Sequence, residues 1–439
     1  MNRKNIFATF IKYTSLSMLS MIGLSCYILA DTLFIANGVG PLGLTALNLD
    51  LPIYNIIFGL GTMLGIGAAT RFSILKSQDK HHEANQYFSQ AFIVGLIISI
   101  PFMIVGIFFP ATIVRLLGGN NEVLPIAVDY LRTFIIFTPF FILNQIMVTF
   151  VRNDHNPKLA SIAMLMGTLF NIIFDYILVF PCQLGMFGAA LATGFSPVVS
   201  LCICMLHFIQ KKNNFTFVKT KLYYEHLYHF ITIGIPSFVT ELSGGVIIFI
   251  FNIVILDIGG NIAVASYGIV CNLALVVTSF YTGIAQGIQP LLSQCYGHHQ
   301  NDLIHTITRY AIIMSLIVST IVYIFIFMFP ENIISLFNSE NNIVMTEIAK
   351  NGLLFYFTGF FCVGINMIAV SYFASIEKVK PSFLISILRG GLLIIPIVFV
   401  TSQIFSLIGV WLAFPLTELI VLFIVFLLYN KYHLIQSIE

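Results

Sequence analysis

Four oxygen-bearing side chains, Asp31, Asn171, Asp175 and Thr193, each lie inside a long apolar run of this chain. A polar or ionisable group is costly in such surroundings and is seldom retained without a task. Asn171 and Asp175 are four residues apart, so a helix sets them on one face, a turn from each other. Asp31 falls late in the first apolar run and Thr193 about two turns into the sixth, which predicts similar depth for all four. The donors are carboxylate, amide and hydroxyl, with no sulfur or imidazole, a set that suits a hard cation such as Na⁺ or a shared proton. Two neighbouring carboxylates in a low dielectric resist ionising together, so their titration is expected to be coupled. A purely structural role, as polar groups bonded across a helix contact, is the alternative.

The second half of the chain offers a different set. Glu241, at mid-depth in the seventh run, is its main acid, and Asn366 is the counterpart of Asn144 in the first half. These two are the second-half candidates. Gln286 and Gln289, just before Pro290, are expected either to line a polar cavity or to bond a neighbouring helix. Arg389 and Glu418 fall in the last two runs, where they can form a charge pair. Asp50, two residues before Pro52, reads as the cap of a helix break. The seven cysteines mostly sit in apolar runs with no CxxC pair, and His81-His82 and His298-His299 read as loop polarity. No metal is expected beyond Na⁺ at Asp31, Asn171, Asp175 and Thr193, and no cofactor beyond a coupling Na⁺ or H⁺. Some of the 43 Phe and 14 Met are expected to face an organic guest, since aromatic faces attract organic cations and Met adapts to shape.

The elements that must position these groups are membrane spans. Charged residues are 9% of 439 and hydrophobic residues 58%, with a mean hydropathy of +0.97, against about 25% charged in an ordinary soluble domain. The apolar runs reach about 20 residues, enough for a hydrocarbon layer of about 30 Å. Twelve such runs are predicted between residues 13 and 430, all helical, because a spanning segment must satisfy its own backbone. Basic residues before the first run, and Gly23 to Cys26 within it, resemble a lipoprotein signal, but the apolar pattern continues past Asp31, as a first span would. Prolines at 52, 139, 197, 236, 290, 396 and 415 interrupt the runs, each a packing kink or a hinge.

The chain also repeats itself. Phe109-Pro110 recurs as Phe329-Pro330, Thr138-Pro-Phe-Phe141 as Thr358-Gly-Phe-Phe361, Gly65-Ile66-Gly67 as Gly287-Ile288-Gln289, and Gly188 to Ala192 as Gly409 to Ala413. The constant offset of about 220 residues marks a duplicated unit, a frequent architecture of secondary transporters. All of the 20 lysines and arginines except Arg115, Arg132, Lys350 and Arg389 fall at the termini or in even-numbered loops, which predicts both termini cytoplasmic. Six spans per half give both halves the same orientation and a pseudo-two-fold axis along the membrane normal. The expected division is residues 1–212 as the first six-helix lobe, 213–226 as a cytoplasmic linker and 227–439 as the second. Pro236 maps onto Leu16, so the lobes are expected to bend differently. The net charge of +2 is dispersed over loops and gives no sign of a nucleic-acid partner.

An aspartate late in the first helix, the Asn171-x-x-x-Asp175 pair in the fifth, Gly188-Ala-Ala-Leu-Ala-Thr193 opening the sixth and Gly409 to Glu418 in the twelfth together resemble the multidrug and toxic compound extrusion (MATE) family, over essentially the whole chain. The resemblance implies a two-lobed, twelve-helix antiporter that exports amphipathic, often cationic, drugs in exchange for Na⁺ or H⁺. It implies that Asp31, Asn171, Asp175 and Thr193 match the family's first-lobe cation site, and Glu241 the helix-seven acid of some members. Two positions depart from the pattern: Asn366 stands where those members carry aspartate, and Leu16 where many carry proline. The expected protein is a monomeric, multi-pass transporter of the plasma membrane, not an enzyme, working by alternating access. A lipid-linked precursor flippase of the same superfamily and a passive channel are the alternatives. The first would want a strongly basic cavity, and the second would carry substrate without an ion.

Overall fold

The structure, a computed structural model, describes residues 5–335 and 342–436; Arg3 and Lys4, used above for orientation, lie outside them. The first half runs α1 (Ile6–Gly38), α2 (Pro41–Ser77), α3 (His81–Phe108), α4 (Pro110–Leu116), α5 (Leu124–Ile135), α6 (Thr138–Asn153), α7 (Pro157–Val179) and α8 (Gly185–Ile209). The second half runs α9 (Tyr224–Gly297), α10 (Asn301–Met328), α11 (Pro330–Ser335), α12 (Ile343–Tyr356), α13 (Phe360–Ser375), α14 (Val379–Ile387) and α15 (Ile394–Gln436). Helix starts follow local chemistry. Proline occupies the first turn of α2, α4, α5, α6 and α7, where its missing N–H costs nothing. The Asn156 side chain caps α7 by accepting from Leu159 N at 3.2 Å, and Asn342 does the same for α12 through Met345 N at 3.1 Å.

Among the described residues, nine helical stretches are long and apolar enough to cross a membrane, or ten when α5 and α6, bent by 49°, count as one. Two of these stretches hold two spans each. The chain leaves helical geometry within α9 at Gly260 (φ 64, ψ −163) and within α15 at Ser406 (φ 53, ψ −133). Dividing it there yields twelve spans in two lobes. The duplication is visible in the breaks: Phe109-Pro110 and Phe329-Pro330 both close a long helix and open a short one, and Thr138 and Thr358 both stand at a break inside a span. Pro52, by contrast, breaks nothing, because α2 runs through it from Pro41 to Ser77. Asp50 therefore caps no helix end.

The outside of the molecule is apolar. Ile97, Ile100, Ile104 and Phe108 on α3, and Ile317, Ile321, Ile324 and Phe327 on α10, form exposed stripes at helical spacing. Faces of this extent are solvated by lipid, not water. The protein is a multi-pass membrane protein.

Inside there are two cores. One joins buried residues from Met21 to Phe230; the other joins Phe251 to Val425 and recruits Ile6, Phe10 and Tyr13 from the start of α1. The lobes are thus pressed together at the face carrying the lysine- and arginine-rich loops, the basic face. A Cβ on Gly67 of α2 would overlap the Phe230 backbone of α9, and one on Gly283 of α9 would overlap Met18 of α1, so only glycine permits these approaches. The connector between the halves is not slack. Asn214 N and Nδ2 donate to Asp154 at 2.7 and 3.0 Å, Val218 N donates to Ser89 Oγ at 2.9 Å, and Phe215 is fully buried. The segment is laid across the first lobe.

Candidate ion and substrate sites

Two helix contacts determine where the four first-lobe oxygens meet. Gly23 of α1 packs on Leu165 and Thr168 of α7, and Gly38 on Val179, so the two helices run parallel with a fixed register. Asp31, between those glycines, then falls opposite the stretch from Asn171 to Asp175. On the other side α8 runs antiparallel to α7: Gly188 meets Leu178, and Ser196 Oγ donates to Gly167 O at 2.8 Å. That register brings Thr193 beside Asn171, whose Nδ2 donates to Thr193 Oγ1 at 3.2 Å.

All four residues are buried, and Asn171 and Asp175 completely so. Asp31 and Asp175 lie within electrostatic range of each other. Asp31 Oδ1, Asn171 Oδ1 and both carboxyl oxygens of Asp175 have no hydrogen-bond partner among the described residues. A buried acceptor without a donor forfeits its whole hydration, typically about 1–3 kcal/mol and more when charged. Four such oxygens on neighbouring helices can accept a small cation or a proton, and among the described residues no basic side chain pairs with either carboxylate.

Three features of this region escaped the sequence reading. Tyr130 of α5 is buried beside Thr193 and within electrostatic range of Asp31, Asp50 and Asp175. Asp50 is itself 2% exposed with both carboxyl oxygens partnerless, a third uncompensated acid where a cap was expected. Its signal in the sequence is an acid within an apolar run, masked by the proline two residues on. Tyr27 and Tyr54 bond hydroxyl to hydroxyl at 2.8 Å. Tyr54 lies within range of both Asp31 and Glu241, between the two acids that face different parts of the protein.

The second lobe is built differently. Glu241 lines a cleft between the lobes of about 820 Å³, counting the part open to solvent, together with Thr240, Gln286, Gln289, Met367 and Arg389. Asn366, expected to accompany Glu241, instead serves Glu418: its Nδ2 donates to Glu418 Oε2 at 2.6 Å and to the Glu418 carbonyl at 2.9 Å. Arg389 completes the cluster, its Nε lying 3.0 Å from both Glu418 carboxyl oxygens. The charge pair entertained from the sequence exists.

Below the cleft, toward the basic face, the lobes are bonded together. Arg152, expected in a loop, is 3% exposed, and its Nη1 donates to Gln286 Oε1 at 2.8 Å. Asn153 Nδ2 donates to Gln289 Oε1 at 2.9 Å, and Gln289 Nε2 to Thr70 Oγ1 at 3.0 Å. Both glutamines thus line the cleft and tie the lobes across it. An ion pair between Arg71 of α2 and Glu377 beyond α13, at 2.7 Å, closes the same seam.

Comparison with known proteins agrees with this architecture. The MatE family model matches residues 17–177 and 236–400, once in each half. The multidrug export protein MepA of Staphylococcus saprophyticus is 28% identical over 407 residues, spanning 88% of this chain and 86% of that protein. MepA of Staphylococcus aureus strain MSSA476 is 29% identical over 406 residues, with the same coverage. Among solved structures, an outward-facing multidrug resistance MATE family transporter of the MOP superfamily superposes with a TM-score of 0.91 over 97% of this chain and 95% of that one, at 22% identity, so the fold is shared.

Proposed function

This chain belongs to the MatE family of multidrug efflux transporters, and from that membership we propose that it exports amphipathic, often cationic, organic compounds in exchange for Na⁺ or H⁺ by alternating access. The observation that carries the proposal is the set of partnerless buried oxygens on Asp31, Asn171 and Asp175. The ion site comprises Asp31, Asn171, Asp175 and Thr193, and the substrate cleft is the one lined by Glu241, Gln286 and Gln289. An ion in the first lobe removes the repulsion between Asp31 and Asp175, and so changes how α1 packs on α7. Because α1 also belongs to the second core, through Ile6, Phe10 and Tyr13, that change reaches the seam between lobes.

In this reading the bonded basic face is cytoplasmic, the cleft opens to the outside, and the protein is a monomer in the plasma membrane. Residues 1–212 and 227–439 move as lobes, and 213–226, pinned by Asp154 and Ser89, travels with the first. One monovalent cation moving down about 100 mV and a roughly tenfold gradient releases about 3.7 kcal/mol, enough for a gradient of about 500-fold in a neutral drug. No nucleotide is needed. A flippase for polyanionic lipid would want a large excess of positive charge; here Arg389 is paired with Glu418, and the cleft that Arg152 and Arg389 line also carries the acid Glu241.

The test is drug movement in proteoliposomes under separately imposed Na⁺ and pH gradients. Uptake driven by one gradient in the wild-type protein, and lost in Asp31→Asn and Asp175→Asn, is expected. Flux that ignores both gradients would make the protein a channel.

A further inference from the structure

Among the described residues, Arg389 is the one lysine or arginine of the second lobe that lines the cleft, and the backbone is deformed to place it. Between α14 and α15 the chain makes a π turn, Leu388–Leu392, and Gly391 leaves the helical region altogether. Gly390 lets the turn press against α9: a Cβ there would overlap Ser243, and Val239 is also in contact. Val239 and Ser243 belong to the same helix as Glu241, so the turn packs against the helix that carries the cleft's acid, and Arg389 and Glu241 both line the cleft. Single π turns are commonly kept where a side chain must be re-aimed for function.

The guanidinium is half committed. Its Nε is held by Glu418, which Asn366 holds in turn. Its Nη1 and Nη2 bond to nothing among the described residues, and neither is among the fully buried polar atoms. Arg389 lines the cleft with 13% of its side chain exposed, whereas Glu418 behind it is 4% exposed. A pair formed only for packing would bury and satisfy all its N–H groups; this one points a planar fork of donors into the space where substrate binds. Glu418 makes burial of the cation tolerable and fixes the plane of the guanidinium, and the free edge matches a carboxylate in two parallel hydrogen bonds.

We propose that Arg389 is the subsite for a carboxylate on the transported molecule, so that the cleft selects zwitterionic amphiphiles, cationic end toward Glu241 and carboxylate end on the Arg389 fork. This rests on the transport reading above but concerns recognition, and the two can fail separately. Glu418 and Asn366 act as positioning residues.

The experiment uses a matched pair of dyes, a rhodamine methyl ester, which is a cation, and the same rhodamine with a free carboxylate. Binding to the purified full-length protein is read by fluorescence anisotropy, and transport in proteoliposomes under Na⁺ and pH gradients. Arg389→Gln is expected to weaken the free-carboxylate dye by about tenfold to a hundredfold more than it weakens the ester, the range for a lost hydrogen-bonded charge. Arg389→Lys, which keeps the charge without the fork, falls between. The double variant Arg389→Gln/Glu418→Gln leaves no unpaired charge, so it guards against misfolding, and it is expected to show the same selective loss. Equal change for both dyes, or none, in Arg389→Gln and in the double variant overturns the inference. Arg389-dependent binding without gradient-driven movement of either dye supports the subsite and removes the transport reading.

Discussion

The two lobes descend from one repeated unit, yet they handle buried charge in opposite ways. In the first, Asp31 and Asp175 face each other, and no other described residue donates a hydrogen bond to Asp175. In the second, Glu418 has a cation already attached to the chain, Arg389, and an amide donor from Asn366. The backbone differs to match. α7 is an unbroken helix from Pro157 to Val179, whereas the corresponding span in the second lobe is interrupted by the π turn that places Arg389. The lesson is that duplication copied the scaffold and not the chemistry: the Asp31–Asp175 pair has no basic partner among the described residues, whereas Glu418 is paired with Arg389.

Neutralising an acid should therefore have different consequences in the two lobes. The largest expected effect is on coupling: Asp31→Asn and Asp175→Asn should each reduce gradient-driven drug flux in proteoliposomes to that of empty vesicles, while the purified variants remain folded. Full flux in both would erase the distinction between lobes.

Next comes stability, and here the sign should reverse. Glu418→Gln strands Arg389 in low dielectric and should destabilise by about 3–5 kcal/mol, the cost of breaking a buried pair. Asp175→Asn removes an uncompensated acid and should leave unfolding of the ion-free protein unchanged or shift it upward. Thermal unfolding in detergent, at low Na⁺, reads both. Smaller again is Thr193→Val, which deprives Asn171 Nδ2 of its acceptor at about 1 kcal/mol, a loss of roughly fivefold in ion affinity without loss of flux at saturating ion. The smallest concerns the seam that both lobes share. Glu377→Gln removes a partly exposed ion pair with Arg71, contributing about 1 kcal/mol or less, and should raise labelling of a cysteine placed in the seam by a few-fold without abolishing transport.

Much of this was legible in the sequence because it depends on short-range periodicity. Apolar run length indicated the spans, the i, i+4 spacing of Asn171 and Asp175 put both on one face of a helix, and the near-constant offset indicated the repeat. What remained hidden depends on contacts across long separations. The Arg389–Glu418 pair was open to a sequence reading as an option, but that Asn366 serves Glu418 and not Glu241, and that a π turn places Arg389, was not; the Gly390-Gly391 pair was the turn's trace. Arg152 looked like a loop residue because it ends a helix, but the seam closes over it through Gln286. Asp50 was misread for a local reason: a proline two residues away suggested a break, and in a membrane span neighbouring helices can support a proline without one.

The claim beneath all of this is that the buried acids Asp31 and Asp175 lack, among the described residues, the basic partner that Glu418 has in Arg389. It is tested most directly by thermal unfolding of the purified protein titrated with NaCl against choline chloride, and separately with pH. The expected result is stabilisation of about 1–3 kcal/mol by Na⁺ or by protons, present in the wild type and in the double variant Arg389→Gln/Glu418→Gln and absent from Asp31→Asn and Asp175→Asn. Stabilisation that survives loss of Asp31 and Asp175, or that disappears with the Arg389–Glu418 pair, would contradict it.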